Sequence, residues 1–280
     1  MRFSQIGKII GAAGVAFLIG FNSQAQGFYA KAGAGFNFGI GSRNGEKTTI
    51  ARTQNPQDFT VQTIEQAEWV KVNFGKGLTG NGAVGYMFNE QLGAELELSY
   101  LAGGKNKTYF ENTNQYSSLG TDSTILAAES YARMLMLQPS LIISTDLSEK
   151  LDLYGKFGIV ISRGHIMSSS TLSGDQDVET EGRYEDGWGF GFQAALGLTC
   201  ALGEQYALFS EVRMSNLSYT PTNFHLLKKT DSGEDITATL PQDTPLEDDY
   251  TNVNGQRNVG LKASYPFSHV GISIGLRYNF

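Results

Sequence analysis

The sequence predicts an all-β chain folded as one eight-stranded antiparallel up-and-down transmembrane β-barrel. Three observations predict it. Apolar side chains recur at every second position in eight separate segments. The connections between these segments are alternately short and long. The first 25 residues have the layout of an export leader.

Composition sets the bounds. A chain of 280 residues allows one large domain or two small ones. The 28 Asp+Glu outnumber the 21 Lys+Arg, a net charge of -7, which argues against nucleic-acid binding and its clustered basic residues. The single cysteine, Cys200, excludes an internal disulfide framework and a Cys-rich zinc site. A hydrophobic share of 40% is too high for a disordered chain. The longest apolar run is too short for a membrane-crossing helix, so any crossing is by strands.

Residues 1–25 read as a cleaved secretory signal peptide. Arg2 and Lys8 flank a start without acids, Ile9–Phe21 is apolar, and Ser23 and Ala25 supply the small-x-small pattern before Gln26. The mature domain is then 26–280. Without Arg2 and Lys8 it has 19 basic and 28 acidic residues, a charge of -9.

The first period-two segment is Phe28–Ser42, where Phe28, Ala30, Ala32, Ala34, Phe36 and Phe38 face Tyr29, Lys31, Gly33, Gly35 and Asn37 across the strand. Similar alternation marks 78–88, 92–100, 134–143, 156–162, 188–199, 206–215 and 270–280. Asn89–Gln91, Thr145–Lys150 and Gly203–Gln205 are short turns, whereas 43–76, 102–130, 164–186 and 217–268 are long loops. An even strand count places both termini at the short-turn end. Pro139 lacks a ladder N–H and suggests a bulge in its segment. Val259, Leu261, Tyr265 and Phe267 are odd-numbered whereas Val270, Ile272 and Ile274 are even-numbered, which suggests a bulge or break near Ser268.

The apolar face carries most of the Phe, Leu and Ile, and the other face carries Gly, Ser, Asn and a few charges. Eight strands enclose a narrow interior that side chains just fill. Bulk outside and small residues inside fit a barrel in lipid, and a soluble barrel needs the reverse. Phe28, Phe88, Tyr206, Tyr278 and Phe280 lie beside the short-turn end, and Phe38, Tyr100 and Trp188 lie toward the other. Two aromatic belts are expected at the two membrane interfaces.

The last ten residues, Gly271 to Phe280, alternate Ile272, Ile274, Leu276, Tyr278 and Phe280 with small or polar residues. This resembles the terminal strand of bacterial outer-membrane β-barrels. The resemblance implies that Ile274, Leu276, Tyr278 and Phe280 form the signal read by the barrel-assembly machinery. The mature chain is similar in pattern to small OmpA/OmpX-like proteins, the outer membrane protein beta-barrel domain. That likeness implies a place in the bacterial outer membrane, with membrane lipid and lipopolysaccharide as neighbours.

Seven charges fall on polar faces: Lys31, Glu95, Glu97, Lys156, Glu211, Arg213 and Arg277. Charges inside a narrow lumen need partners, so three acids and four bases predict an internal ion-pair network that plugs it. The alternative is an ion path or gate. Gly75-Lys76-Gly77-Leu78-Thr79-Gly80 matches GxGxxG but precedes a strand pattern, the wrong context for a dinucleotide site. His165, His225 and His269 lack zinc spacing and read as solvated loop residues. Asp175, Asp177, Glu179 and Glu181, and Glu247, Asp248 and Asp249, read as solvated acidic surface. Cys200 reads as a small apolar residue of the wall. Ser215 lies in a stretch that loosely resembles the Ser-Asn segment of lipid A deacylase barrels, but the histidine expected before it is absent.

The sequence therefore points to a non-enzymatic protein without catalytic residues, metal or cofactor. It would stabilise the envelope or bind an extracellular ligand through its loops. The longest loop, Ser218–Ser268, with Tyr219, Phe224 and Tyr250, is the expected contact surface. A narrow channel for ions or small apolar solutes is the alternative reading, and a lipid-modifying enzyme the third.

Overall fold

The computed structural model describes residues 27–55, 61–116, 120–174, 177–248 and 259–280, so the stretch 1–25 expected to be an export leader, and Asp175, Asp249 and Tyr250, lie outside the described residues. The fold is all-β, a mostly antiparallel 17-stranded sheet. In chain order the strands are β1 (Phe28–Gly39), β2 (Arg43–Gln54), β3 (Val61–Val72), β4 (Gly77–Met87), β5 (Leu92–Gly103) and β6 (Asn106–Tyr116). They continue with β7 (Gly120–Ser148), β8 (Leu151–Ser173), β9 (Val178–Glu185), β10 (Trp188–Ala201), β11 (Tyr206–Thr220) and β12 (Asn223–Asp231). The last are β13 (Glu234–Asp235), β14 (Asp243–Glu247), β15 (Gly260–Leu261), β16 (Tyr265–Pro266) and β17 (His269–Asn279).

Part of this sheet closes on itself. β1 pairs with β4, β4 with β5, β5 with β7, β7 with β8, β8 with β10, β10 with β11, β11 with β17, and β17 with β1, each antiparallel. A ring leaves none of these edges open, which is what a strand in hydrocarbon requires. Outside it, β2 and β3 form a hairpin, β2 pairs parallel with β6, and β6 pairs with the first half of β7. The second half of β8 pairs with β9, β9 with β12, and β12 with β14. β7 has 29 residues and β8 has 23, well beyond the length of about 9–11 that crosses a bilayer. Their surplus carries the second sheet away from the ring.

The four stretches expected as long loops are thus largely strands, a correction to the sequence reading. Residues 43–54 and 61–72 form β2 and β3, 106–116 form β6, and 178–185 form β9. β3 is exposed along most of its length, so it carries no in-out alternation.

Of the two expected irregularities, the bulge at Pro139 is corrected and the break near Ser268 is found. Pro139 marks no bulge: Leu96 pairs with Pro139 in unbroken register. On the other side the ladder passes from Leu137↔Ile161 to Ser140↔Gly158 without a shift. The missing N–H removes a bond without adding a residue. Near Ser268 the strand is interrupted, but the register is not shifted, because Ser218↔Pro266 and Ser215↔His269 continue one ladder along β11. The apolar phase changes because the environment does. Val270 and Ile272 face outward from the ring, whereas Phe267 turns inward and is buried.

Candidate functional site

Burial alternates along each ring strand and separates an outer wall from a filled interior. On β10, Phe190, Phe192 and Leu196 are 60–67% exposed, while Gln193 between them is 1% exposed. On β8, outward Phe157 and Ile159 bracket buried Gly158. The outer face is therefore an apolar band, and the chemistry of the ring lies within it.

The centre of the interior is an ion-pair cluster. Lys156 Nζ lies 2.9 Å from Glu95, 3.0 Å from Glu97 and 2.9 Å from Glu211. Lys31 lies 2.7 Å from Glu95 and 3.9 Å from Glu211. Arg213 bridges Glu97 at 2.5 Å and Glu211 at 2.6 Å. Three acids meet three bases, and their side chains are buried apart from a 12% exposed Arg213. The contributing strands β1, β5, β8 and β11 are alternate members of the ring. Inward side chains from alternate strands can thus meet near one axis instead of colliding with their neighbours.

Polar neighbours complete the coordination. The Tyr29 hydroxyl donates to Glu95 at 2.8 Å, and that of Tyr154 donates to Glu211 at 3.0 Å. Arg213 also donates to Gln138 Oε1 at 3.0 Å, and Gln138 donates to Ser99. Each tyrosine ring lies over a glycine of the next strand: a Cβ at Gly85 would collide with the Tyr29 ring, and one at Gly197 with that of Tyr154. The missing side chains make room for the rings that hold the phenols on the carboxylates.

Of the seven charges expected inside, Lys31, Glu95, Glu97, Lys156, Glu211 and Arg213 are brought into this cluster. Arg277 stands beside it. Its guanidinium covers the Tyr29 ring at 3.9 Å and donates to Asn279 at 2.8 Å. Tyr29, Tyr154 and Gln138 were not expected there. Their signal is parity: each occupies a polar-face position of its strand.

The interior also holds an apolar layer that the small-inside expectation does not include. Leu101, Met134, Met136, Val160, Ile166, Leu217 and Tyr219 cluster with Phe74 and Phe267. Phe74 lies just before β4 and Phe267 just before β17, so both enter from the connections at the far end. The Tyr219 hydroxyl donates to Gly164 O at 2.7 Å. Tyr219 is fully buried, which removes it from the expected loop contact surface. Phe224 packs against Tyr184 with ring centroids 4.8 Å apart.

Other candidates are placed as follows. Ser215 pairs across the ladder with His269, the histidine neighbour its own segment lacks. Both are buried inside the ring, and His269 Nδ1 contacts Phe267 O at 2.9 Å. His269 is therefore an interior residue and not a solvated one. His225 Nδ1 lies 2.7 Å from Asp243 in the outer sheet, and hydrogen bonds from His225 and Asn223 hold the Asp243 carboxyl below the usual carboxylate range. The GxGxxG stretch leads into β4, with Gly77 at φ 139. Cys200 is exposed on the outer face. Ile274, Leu276 and Phe280 are also outward and more than half exposed, with Tyr278 stacked edge-on against Phe280 at 5.0 Å. Among the described residues no group of three His, Cys, Asp or Glu is placed to hold a metal ion.

Comparison with known proteins agrees with this anatomy. The family model described as outer membrane protein beta-barrel domain matches residues 12–267. No curated protein matches the chain. A ring with an apolar outer wall, a filled polar interior and a family match over most of its length place the chain in the outer membrane protein beta-barrel domain family, a protein of the bacterial outer membrane.

Proposed function

We propose that the ring is an eight-stranded transmembrane barrel with a sealed lumen, and that the protein works from its outer sheet as an envelope scaffold or binding protein without enzymatic chemistry. The registers support the barrel. Starting at Tyr29, the ladder runs through Gly85, Glu95, Ser140, Gly158, Gln193, Ser215 and His269 and returns to β1 at Gly39, ten residues beyond its start. Such a stagger is what tilted strands need to close.

The observation that carries the sealed lumen is its two successive fillings. The ion-pair cluster occupies the middle, and the layer containing Leu101, Met134 and Phe267 occupies the end toward the outer sheet. An ion would have to break the first and cross the second. Binding is then left to the sheet beyond the ring, where the edge strand β3 exposes Val61, Ile64 and Trp69, the last at 71%. Planar-bilayer recording of the refolded chain tests this reading, with heat-dependent gel mobility reporting the folded barrel. The expected result is a silent bilayer. Reproducible unitary conductance would overturn the sealed lumen and favour a narrow channel.

A further inference from the structure

The apolar wall ends in a pair of cations on two neighbouring strands. The outward residues of β7 from Leu135 to Ile143 carry no charge, and neither do those of β8 from Leu153 to Ile161. Each span matches the length of about 9–11 residues that crosses a bilayer. The next outward residues toward the outer sheet are Arg133 and Arg163, whereas toward the short turn they are Thr145 and Leu151. Arg133 stands opposite His165 and Arg163 opposite Leu135, so the two arginines are diagonal neighbours on one face. Long side chains at such positions reach one another.

Both guanidinium groups are supported by rings. That of Arg133 lies 5.1 Å from the centre of the Tyr131 ring, and that of Arg163 lies 5.4 Å from that of Trp188. The nearby acids have cations of their own. Glu129 lies 2.6 Å from Lys105 and 3.7 Å from Lys107, Glu185 lies 2.6 Å from Arg183, and Asp186 lies 3.7 Å from Arg163. Among the described residues, Arg133 has no acid in ion-pair contact. Five cations thus meet three acids, in a chain whose net charge is -7. Two like charges side by side at the edge of hydrocarbon repel each other unless an anion stands between them.

We propose that Arg133 and Arg163 bind a phosphate monoester on the headgroup of an external-leaflet lipid, the sugar phosphate of lipopolysaccharide. This rests on the membrane-barrel reading but not on the sealed lumen. Short turns of outer-membrane barrels face the periplasm, so the opposite end of each span meets the external leaflet. The arginines stand one outward step beyond the apolar span, at the depth of headgroups and not of acyl chains. A monoester carries about 1.5–2 negative charges and enough oxygens for both planar forks, whereas the phosphodiester of an ordinary phospholipid carries a single charge.

The test uses the Trp69→Phe chain, in which Trp188 beside Arg163 is the only tryptophan. The refolded barrel in zwitterionic detergent is titrated with lipid A bearing its phosphates, and Trp188 fluorescence is followed. One saturable transition is expected. Arg133→Gln should raise its midpoint about tenfold, the loss of one charge-assisted contact. Arg133→Lys keeps the charge without the fork and should raise it less. Lys47→Gln/Lys228→Gln removes two cations elsewhere on the outer sheet, and should leave the midpoint within about twofold. On the unmodified site, lipid A without phosphate and phosphatidylglycerol should each bind about tenfold more weakly or worse. No saturable transition, or equal midpoints for lipid A with and without phosphate, would overturn the proposal. So would equal weakening by the two-lysine variant. An equal response to phosphatidylglycerol or to inorganic phosphate alone would also overturn it, by making the site one for any phospholipid or for a free ion. Heat-dependent gel mobility reports the fold of each chain. If the Trp69→Phe chain and the unmodified chain both fail to migrate as folded barrels, the membrane-barrel reading falls first.

Discussion

Lys156→Met is the sharpest perturbation of the interior. It removes the cation that touches all three buried carboxylates, at 2.9 Å, 3.0 Å and 2.9 Å. Removing one partner of a buried pair costs about 3–5 kcal/mol, because the remaining charge is left in a medium that solvates it poorly. Here the remaining acids keep other donors. Glu95 keeps Lys31 and Tyr29, Glu97 keeps Arg213, and Glu211 keeps Arg213 and Tyr154. The expected cost is therefore near the lower end, about 3 kcal/mol, set by one unbalanced negative charge shared among three groups. Reversible urea unfolding of the refolded barrel in lipid vesicles, followed by gel mobility and tryptophan fluorescence, measures it. Adding Glu95→Gln restores the balance, so the double variant should recover about 1–2 kcal/mol of the loss as a coupling energy. A single variant within about 0.5 kcal/mol of the unmodified protein would refute the reasoning, since that is the size of an ordinary surface change. It would mean that water already solvates the carboxylates and that the lumen is open.

Three further outcomes are expected. Gly85→Ala drives the Tyr29 ring off Glu95 and should cost about 1–3 kcal/mol by overpacking, most of it absent when Tyr29→Ala is already present; additive losses in that cycle would dismiss the glycine–ring fit. In the outer sheet, the Asp243 carboxyl is held low by His225, so its contribution is present above the ordinary carboxylate value and is lost as pH falls through the lowered one. Hydrogen exchange at Leu226 N–H, bonded to Gln242 O beside Asp243, should accelerate below about pH 4 relative to its intrinsic rate, and Asp243→Asn should remove that pH step. Deleting Phe280 should lower the amount of barrel assembled in cells severalfold while leaving refolding into vesicles intact; unchanged assembly would remove the terminal residue from the signal.

The ring was legible because lipid and lumen impose opposite demands on neighbouring residues. Outward Phe190 and Phe192 with inward Gly191 and Gln193 could be read from spacing alone. The six clustered charges were legible for the same reason, since each breaks an apolar rhythm at a position of the other parity. The outer sheet was not legible. In β3, Val61–Val72, both faces meet water, and in β2, Arg43–Gln54, Thr48 is buried without an apolar rhythm around it, so nothing in the order of residues separates a strand from a loop. Their partners are also remote or unexpected, as in the parallel pairing of β2 with β6.

The apolar plug shows a subtler limit of reading by parity. Along β11, Val212 and Met214 face outward and are exposed, while Leu217 and Tyr219 are inward and buried. The backbone continues one ladder throughout, yet the apolar set moves from one parity to the other. The same exchange separates Phe267 from Val270 on the neighbouring chain segment. In a one-sided strand such a slip would mean a bulge. On the sealed-barrel reading proposed above, it marks where the wall leaves hydrocarbon and the apolar layer fills the interior. The two changes on adjacent strands lie at one level, where Leu217 O accepts from Phe267 N at 2.9 Å. A paired change of apolar parity on neighbouring strands, without a register shift, thus accompanies the apolar interior layer of this chain. That layer lies beyond the ion-pair cluster toward the outer sheet, and this stacking of apolar on ionic filling is the arrangement from which the sealed lumen is proposed.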